Sequence, residues 1–152
     1  MTEAPQILLV EARFYDDIAD QLVAGATAAV EARGGTCARI AVPGAMEIPL
    51  VVRYAVGAAE AGTGDAYDGF VALGCVIRGD TTHYDHVCQE SIGGLHKLAL
   101  RYSLAVGTGI LTCEDRAQAW ARAAIDQGNK GTAAANAALD LIAVRQTFRA
   151  GR

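Results

Sequence analysis

Residues 69–77 read Gly69-Phe70-Val71-Ala72-Leu73-Gly74-Cys75-Val76-Ile77, and this almost wholly apolar run decides the fold. A strand with one face in water alternates apolar and polar residues, whereas a continuous apolar run is typical of a strand buried on both faces. Residues 69–77 are therefore predicted to form a central strand of a parallel sheet.

Further strand and helix patterns alternate along the rest of the chain. Such alternation predicts βαβ units, with helices covering both faces of a parallel sheet. No linker, internal repeat or low-complexity tract interrupts the pattern, so we expect one α/β domain over residues 1–152. The predicted strands are 6–10, 38–42, 69–77 and 103–112, and the predicted helices run from about Ile18 to the Gly34-Gly35 stop and over 48–61, 82–101, 115–124 and 130–148.

Composition and charge limit the classes of function. The 152 residues are 52% hydrophobic and 20% charged, which excludes intrinsic disorder, and no apolar run approaches the ~20 residues of a membrane span. With 13 Lys and Arg against 17 Asp and Glu, the net charge of −4 argues against a nucleic-acid partner. The first residues carry no secretory signal, so we expect a cytoplasmic protein. The four cysteines stand singly and are expected to be buried, reduced thiols.

The chain is also unusually rich in small residues, with 17 glycines and many alanines. Small residues let helices pack closely, but each buries little apolar area. We therefore expect the domain to complete its apolar burial against neighbouring subunits, as a homo-oligomer.

Ligands of parallel α/β sheets bind outside the carboxyl ends of the strands, and three predicted strand exits carry unusual residues. Phe14 follows the first strand, where its ring either stacks on a planar ligand or caps the core. Ala45-Met46-Glu47 follows the second strand and precedes a helix. The Glu47 carboxylate either stabilises the helix start or accepts hydrogen bonds from a polyhydroxylated ligand.

The third exit is the most informative, because a buried strand turns directly into a helix start. It reads Val76-Ile77-Arg78-Gly79-Asp80-Thr81-Thr82-His83-Tyr84-Asp85-His86. Thr82 and Asp85 resemble a capping box, which places His83 in the first helical turn. Free backbone N–H groups and the helix dipole make that turn an anion site, and they favour a neutral imidazole. His83 is therefore a candidate general acid–base group acting on a phosphorylated substrate.

Other interpretations of these residues stay open at this point. His83 is also explained as an ordinary surface residue of a first helical turn. With Asp85 and His86 it suggests a metal-dependent hydrolase, although residues three apart on a helix supply only two ligands. Cys88, close to His83 in sequence, is an alternative catalytic nucleophile.

A basic cluster follows the last predicted strand. It consists of Arg116, Arg122 and Lys130, the last within Gly128-Asn129-Lys130-Gly131. These are either ordinary surface charges or the positive groups that an acidic protein must gather locally to bind a phosphate.

Taken together, these segments resemble the 6,7-dimethyl-8-ribityllumazine synthase family of riboflavin biosynthesis. The match runs nearly end to end in constant order, and its block at 74–85 is long and chemically unusual enough to be specific. The matching blocks are Arg13-Phe14, Pro43 to Pro49, Gly74 to Asp85, Gly109 to Thr112, and Arg122 followed by Gly128-Asn129-Lys130-Gly131.

The resemblance implies a three-layer α/β sandwich around a four-stranded parallel sheet, flavodoxin-like in outline. It also implies a homopentamer, which in some members assembles further into decamers or shells, with active sites between adjacent subunits and a riboflavin synthase as a candidate partner. The implied enzyme condenses 5-amino-6-(D-ribitylamino)uracil with 3,4-dihydroxy-2-butanone 4-phosphate, releases phosphate and water, and needs neither metal nor organic cofactor. A product-binding or shell-forming protein on the same scaffold is the alternative.

Residue roles follow from the same resemblance. His83 is implied as the proton-transfer residue and Phe14 as the stacking platform for the pyrimidine. The phosphate is implied to contact Asp80 and Thr81 at the helix start and Arg122, with Lys130 close by, from the neighbouring subunit. The residues implied to hold the ring and ribityl chain are Ala45, Met46, Glu47, Cys75, Val76 and Ile77. The chain departs from the usual family pattern at Tyr15 and at Thr108, whose position packs over the bound ring, so weaker affinity for the pyrimidine is expected.

Overall fold

Strands and helices alternate along residues 3–150, the part of the chain that the computed structural model describes. Met1, Thr2, Gly151 and Arg152, which the single-domain prediction includes, lie outside the described residues. The elements are β1 Gln6–Ala12, α1 Asp16–Ala32, β2 Thr36–Val42, a one-turn 3₁₀ helix Ala45–Glu47, α2 Ile48–Glu60, β3 Gly69–Ile77, α3 His83–Tyr102, β4 Ala105–Cys113, α4 Arg116–Ala123 and α5 Lys130–Ala150.

The four strands form one parallel sheet in the order β2-β1-β3-β4. Leu73 of β3 lies opposite Glu11 of β1 on one side and Gly109 of β4 on the other. The prediction that residues 69–77 form a central strand is therefore confirmed. β1 is the other inner strand, and its residues Ile7 to Val10 are fully buried, as the apolar run predicted.

Alternate residues of each inner strand point into two separate cores, which makes the domain a three-layer sandwich. Ile7 and Leu9 pack with α1, α4 and α5, whereas Leu8 and Val10 pack with α2 and α3. This arrangement confirms the flavodoxin-like outline. Residues 69–77 and 7–10 read as continuous apolar runs because both faces of these strands are covered.

Small residues allow the closest approach in the fold. A Cβ atom on Gly107 of β4 would lie 1.8 Å from the carbonyl oxygen of Ala134 in α5. No side chain fits that gap, so the helix rests on the backbone of the strand. Small residues such as Gly and Ala are therefore needed for packing within the chain, in addition to the packing between subunits that the sequence led us to expect.

The last strand begins later than predicted, at Ala105 rather than Ser103. Ser103 has a φ of 54° and its backbone N–H donates to the carbonyl of Ala99, so it ends α3 in the left-handed conformation. Serine has no sequence signal for this conformation comparable to that of glycine, which explains the error.

A buried carboxylate ties the carboxyl ends of β1 and β2 to α1. The side chain of Glu11 accepts hydrogen bonds from Arg39 Nε and Nη2 of β2, both at 2.8 Å, and from Arg13 Nη1 at 2.9 Å. Arg13 also donates to Asp16 in the first turn of α1. Burial opposes ionisation of Glu11, but the two arginines outweigh it and hold the pKa of the carboxyl below its usual value.

We predict that Glu11→Gln lowers the free energy of unfolding at pH 7 by about 1–3 kcal/mol, because a buried charged hydrogen-bond acceptor is lost. Since the folded-state pKa is depressed, this contribution is present above the unfolded pKa and is lost as pH falls through the folded one. The difference in unfolding free energy between variant and wild type should therefore shrink below pH 4.5, the ordinary pKa of a glutamate carboxyl.

Urea unfolding at pH 7 and pH 4, at one protein concentration, measures this difference. Asp140→Asn is the matched control, since the Arg33–Asp140 pair is exposed and its loss should cost less than about 1 kcal/mol. Equal effects of the two substitutions, or a Glu11→Gln effect that does not change with pH, would contradict the account.

Candidate functional site

Because all four strands are parallel, the loops that follow them all leave the sheet at the carboxyl ends of the strands. A cavity of about 390 Å³ lies at these carboxyl ends, next to the point where the strand order reverses between β1 and β3. We call it the switch-point cavity. It is lined by Phe14, Tyr15, Pro43, Gly44, Ala45, Met46, Glu47, Cys75, Val76, Ile77, His83 and Val87.

Phe14 stands at the mouth of this cavity and is 73% exposed. Its ring makes an edge-on contact with the ring of Tyr15, with centroids 5.0 Å apart. Tyr15 packs against the core instead. The core interpretation of Phe14 is therefore wrong, and the ring is free to stack on a ligand, because Tyr15 occupies the apolar position that Phe14 would otherwise fill.

The second strand exit presents Met46 and Glu47 to the cavity. Ala45 and Ile48 are buried and anchor the 3₁₀ turn, while Met46 and Glu47 between them remain exposed. Glu47 occupies the N-cap position of α2 but makes no side-chain capping bond, and no salt bridge among residues 3–150 includes it. Its carboxylate oxygens are therefore available to accept hydrogen bonds from a ligand.

The third exit supplies His83. β3 ends at Ile77, residues 78–82 form an exposed turn, and α3 begins at His83, which lines the cavity as an exposed side chain. The predicted capping box is wrong. Thr82 already has helical angles, φ −71° and ψ −1°, and makes no side-chain cap, whereas the hydroxyl of Thr81 accepts a hydrogen bond from the His83 N–H at 3.3 Å.

A second cavity, of about 340 Å³, lies beside β4, the outer strand on the other side of the sheet from β2. We call it the β4-edge cavity. It contains both predicted phosphate-binding cations, since it is lined by Thr108, Gly109, Ile110, Leu111, Thr112, Arg122, Lys130, Ala133, Ala134 and Ala137.

Close packing of the 128–131 loop against α4 brings the two cations of this cavity together. Arg122 lies in the last turn of α4, where its Nη1 donates to the carbonyl of Gln118 at 3.1 Å, and Lys130 begins α5. A Cβ atom on Gly128 would lie 2.9 Å from the Cα of Arg122, so only glycine lets this loop pass against α4. The motif at 128–131 thus brings Lys130 to the same cavity as Arg122.

Within one chain, the predicted site residues fall into two groups. Phe14, Glu47 and His83 share the switch-point cavity with their predicted neighbours, and Thr108, Arg122 and Lys130 share the β4-edge cavity. Asp80 and Thr81 are exposed in the turn before α3 and line neither cavity.

The metal-dependent interpretation finds no support in the described part of the chain. No three His, Cys, Asp or Glu side chains among residues 3–150 are grouped so that they could hold a metal ion. Asp85 faces Arg78 instead, with Oδ1 3.6 Å from Nη1. None of the described helices combines the length and the apolar character needed to span a bilayer.

The four cysteines are free thiols, but only Cys75 and Cys113 are buried. Cys37 lies on the edge strand β2 and Cys88 on α3, and both are half-buried, so the prediction of four buried thiols is wrong for these two. Burial raises the pKa of Cys88, which keeps the thiol protonated near neutral pH and argues against its role as nucleophile. Burial also raises the pKa of Cys75, to about 12.

Two groups of hydrogen-bonded polar residues were not predicted from the sequence. The first is Glu11 with Arg39, and the second joins Arg78, Glu114 and Gln118 between α3 and α4. A glutamate inside an otherwise apolar strand was a signal for the first group. Nothing in the sequence alone pairs Arg78 with Glu114, because the two residues are 36 positions apart.

Comparisons with known proteins give a consistent result. The family model described as 6,7-dimethyl-8-ribityllumazine synthase matches residues 4–146. The chain is 52% identical over 145 residues to 6,7-dimethyl-8-ribityllumazine synthase 1 of Mesorhizobium japonicum, covering 95% of this chain and 87% of the relative. It is 53% identical over 144 residues to 6,7-dimethyl-8-ribityllumazine synthase 1 of Rhizobium meliloti, covering 95% and 94%. It is 51% identical over 141 residues to the 6,7-dimethyl-8-ribityllumazine synthase of Azorhizobium caulinodans, covering 93% and 86%.

The thiol environments predict two classes of reactivity towards Ellman's reagent at pH 8. Cys37 and Cys88 should react first, and Cys75 and Cys113 should react only when the protein unfolds, because burial limits access of the reagent to these two thiols. A Cys37→Ser, Cys88→Ser double variant should lose the fast phase. A single rate for all the thiols of the native protein would contradict this assignment.

Proposed function

Since the chain belongs to the 6,7-dimethyl-8-ribityllumazine synthase family, we propose that the switch-point cavity is where it holds the pyrimidine for its condensation reaction. The enzyme condenses 5-amino-6-(D-ribitylamino)uracil with 3,4-dihydroxy-2-butanone 4-phosphate to 6,7-dimethyl-8-ribityllumazine, in riboflavin biosynthesis. One observation carries the proposal: residues from three separate strand exits line a single cavity of about 390 Å³, the size of a small-molecule site.

The proposed pyrimidine site combines a flat apolar surface with hydrogen-bonding groups. The exposed ring of Phe14 stacks on the pyrimidine, and burial of that ring offsets the cost of exposing it in the empty protein. The Glu47 carboxylate accepts hydrogen bonds from hydroxyls of the ribityl chain. Backbone groups of the other lining residues hold the ligand in one orientation. These residues are Ala45, Met46, Cys75, Val76 and Ile77.

His83 is proposed to move protons during the reaction. Attack of the ligand's amine on the ketone forms an imine and releases water, phosphate then leaves by elimination, and closure of the second ring releases another water. Each step needs a proton delivered or removed, and an exposed imidazole at the rim of the cavity is accessible to both substrates.

The phosphate is proposed to lie between the start of α3 and the cations of the β4-edge cavity. The positive end of a helix dipole attracts anions, and Asp80 and Thr81 lie in the short turn that leads through Thr82 into α3. Arg122 binds the phosphate through its guanidinium fork and Lys130 adds a second positive charge.

Because these groups lie in two different cavities of one chain, the complete site is proposed to form between neighbouring subunits. The switch-point cavity of one subunit meets the β4-edge cavity of the next, and repetition of this head-to-tail contact closes a ring, here a homopentamer. Apolar side chains left exposed on the outer helices and the edge strand support such burial. They include Ile40, Leu50, Tyr54, Leu141, Val144 and Phe148.

Location and partners are proposed on chemical grounds. Four free thiols in the described chain fit the reducing cytoplasm. A riboflavin synthase is proposed as a partner, because it uses the product of this reaction.

We predict that His83→Ala lowers kcat roughly 10²-fold, the low end for general acid–base catalysis, because holding the two substrates together supplies much of the acceleration. Arg122→Ala should instead raise the KM for the phosphorylated ketone about 10- to 100-fold, as expected for loss of a charged hydrogen-bonding pair. Fluorescence of the lumazine product measures both effects.

The matched controls are His96→Ala and Arg101→Ala, both exposed on α3 and outside the two cavities, and both should behave as wild type. Wild-type product formation no faster than the spontaneous reaction would overturn the proposal. Equal and complete loss of activity in both site variants would contradict the division of roles between His83 and Arg122.

A further inference from the structure

α4, which carries Arg122, is weakly held by apolar contacts. It has eight residues, and its buried side chains are the methyl groups of Ala119 and Ala123. A helix this short is unstable in isolation, and two alanine side chains bury little apolar area. The direction in which α4 presents Arg122 therefore depends on polar bonds at its ends.

Reciprocal hydrogen bonds define the start of α4. The Asp115 carboxylate accepts from the backbone N–H of Gln118 at 2.8 Å, and the side-chain oxygen of Gln118 accepts from the backbone N–H of Glu114 at 2.8 Å. The carbonyl of Gln118 in turn accepts from Arg122. Gln118 thus contacts both the turn that leaves β4 and the arginine one turn later.

The same turn is tied to the helix that carries His83. Oε2 of Glu114 accepts from Arg78 Nε at 2.8 Å, and the Arg78 guanidinium lies 4.3 Å from the centre of the Tyr84 ring and 3.6 Å from Asp85. Tyr84 and Asp85 lie in the first turn of α3, next to His83. A continuous set of contacts therefore links the start of α3 to Arg122.

These contacts contribute little to global stability. Arg78, Glu114 and Asp85 are each about half exposed, and exposed ion pairs add little stability. The pair of Arg116 with Asp17 of α1 is also exposed and provides a second attachment of α4. Their effect is geometric, because they determine where a short helix begins and hence where its last turn points.

We propose that Gln118, held by Glu114 and Arg78, is a positioning residue that directs Arg122 towards the phosphate of the ketone substrate. This inference rests on the proposed role of Arg122 and adds the device that orients it. A planar guanidinium binds phosphate through two parallel hydrogen bonds, so a small tilt of α4 weakens the contact.

Steady-state kinetics with each substrate varied in turn tests the proposal. Gln118→Ala should raise the KM for the phosphorylated ketone by roughly 3- to 10-fold and leave the KM for the pyrimidine unchanged, since misplacement without loss of the arginine costs less than its removal. Gln118→Glu keeps an oxygen acceptor for the Glu114 N–H at a position where glutamate is favoured. The KM of this variant for the phosphorylated ketone should therefore stay within about 2-fold of wild type.

Gln146→Ala, an exposed glutamine of α5 outside the network, is the matched control and should leave both KM values unchanged. The positioning role is overturned if Gln118→Ala leaves both KM values unchanged, raises both equally, or is not rescued by Gln118→Glu. Arg122→Ala, measured alongside, separates the two failures. If it raises the KM for the ketone and Gln118→Ala does not, only the positioning role fails, whereas if Arg122→Ala has no effect, the phosphate site and the positioning role both fail.

Discussion

The parallel pairing of four strands in the order β2-β1-β3-β4 determines where every functional group of this chain lies. The carboxyl ends of parallel strands all lie on the same side of the domain, so the residues after β1, β2 and β3 meet in one cavity. β2 and β4 are at opposite sides of the sheet, about 14 Å apart at the usual spacing of neighbouring strands. The residues after β2 and the cations after β4 therefore occupy separate cavities, which we propose are two half-sites of the reaction centre. This separation is the physical reason for proposing that the enzyme works as a ring.

Local charge explains how an acidic chain handles a phosphorylated substrate. Its net charge is −4, yet Arg122 and Lys130 share one cavity beside β4. Other arginines are already engaged, Arg13 and Arg39 by Glu11 and Arg78 by Glu114. The engaged arginines hold the strand exits in place, and the cations of the β4-edge cavity are the ones that we propose for the phosphate. Such an arrangement suits a reaction in which positioning two substrates supplies much of the acceleration.

Local patterns in the sequence predicted the fold well, because both inner strands are covered on both faces and read as continuous apolar runs. The same patterns failed where a residue adopts an unusual conformation or meets a distant partner. Ser103 ends α3 in the left-handed region without being glycine. Thr82 is already helical, so the hydrogen bond expected from its side chain is made by the hydroxyl of Thr81 instead. For the site, the resemblance supplied the residue roles, and the structure adds their grouping into two cavities. The link from Arg78 through Glu114 to Gln118 depends on tertiary contacts that one sequence does not encode in any local signal.

The central claim is that each reaction centre takes His83 from one chain and Arg122 from its neighbour. Co-expression of the His83→Ala and Arg122→Ala chains tests it most directly, with the activity of the mixed assemblies measured at a ketone concentration well below its wild-type KM, where each variant alone is weak. Random mixing leaves about a quarter of the interfaces with an intact His83 facing an intact Arg122, so activity should rise well above the mean of the two separate variants towards about a quarter of wild type. Activity equal to that mean would show that both residues act within one chain and would contradict the account.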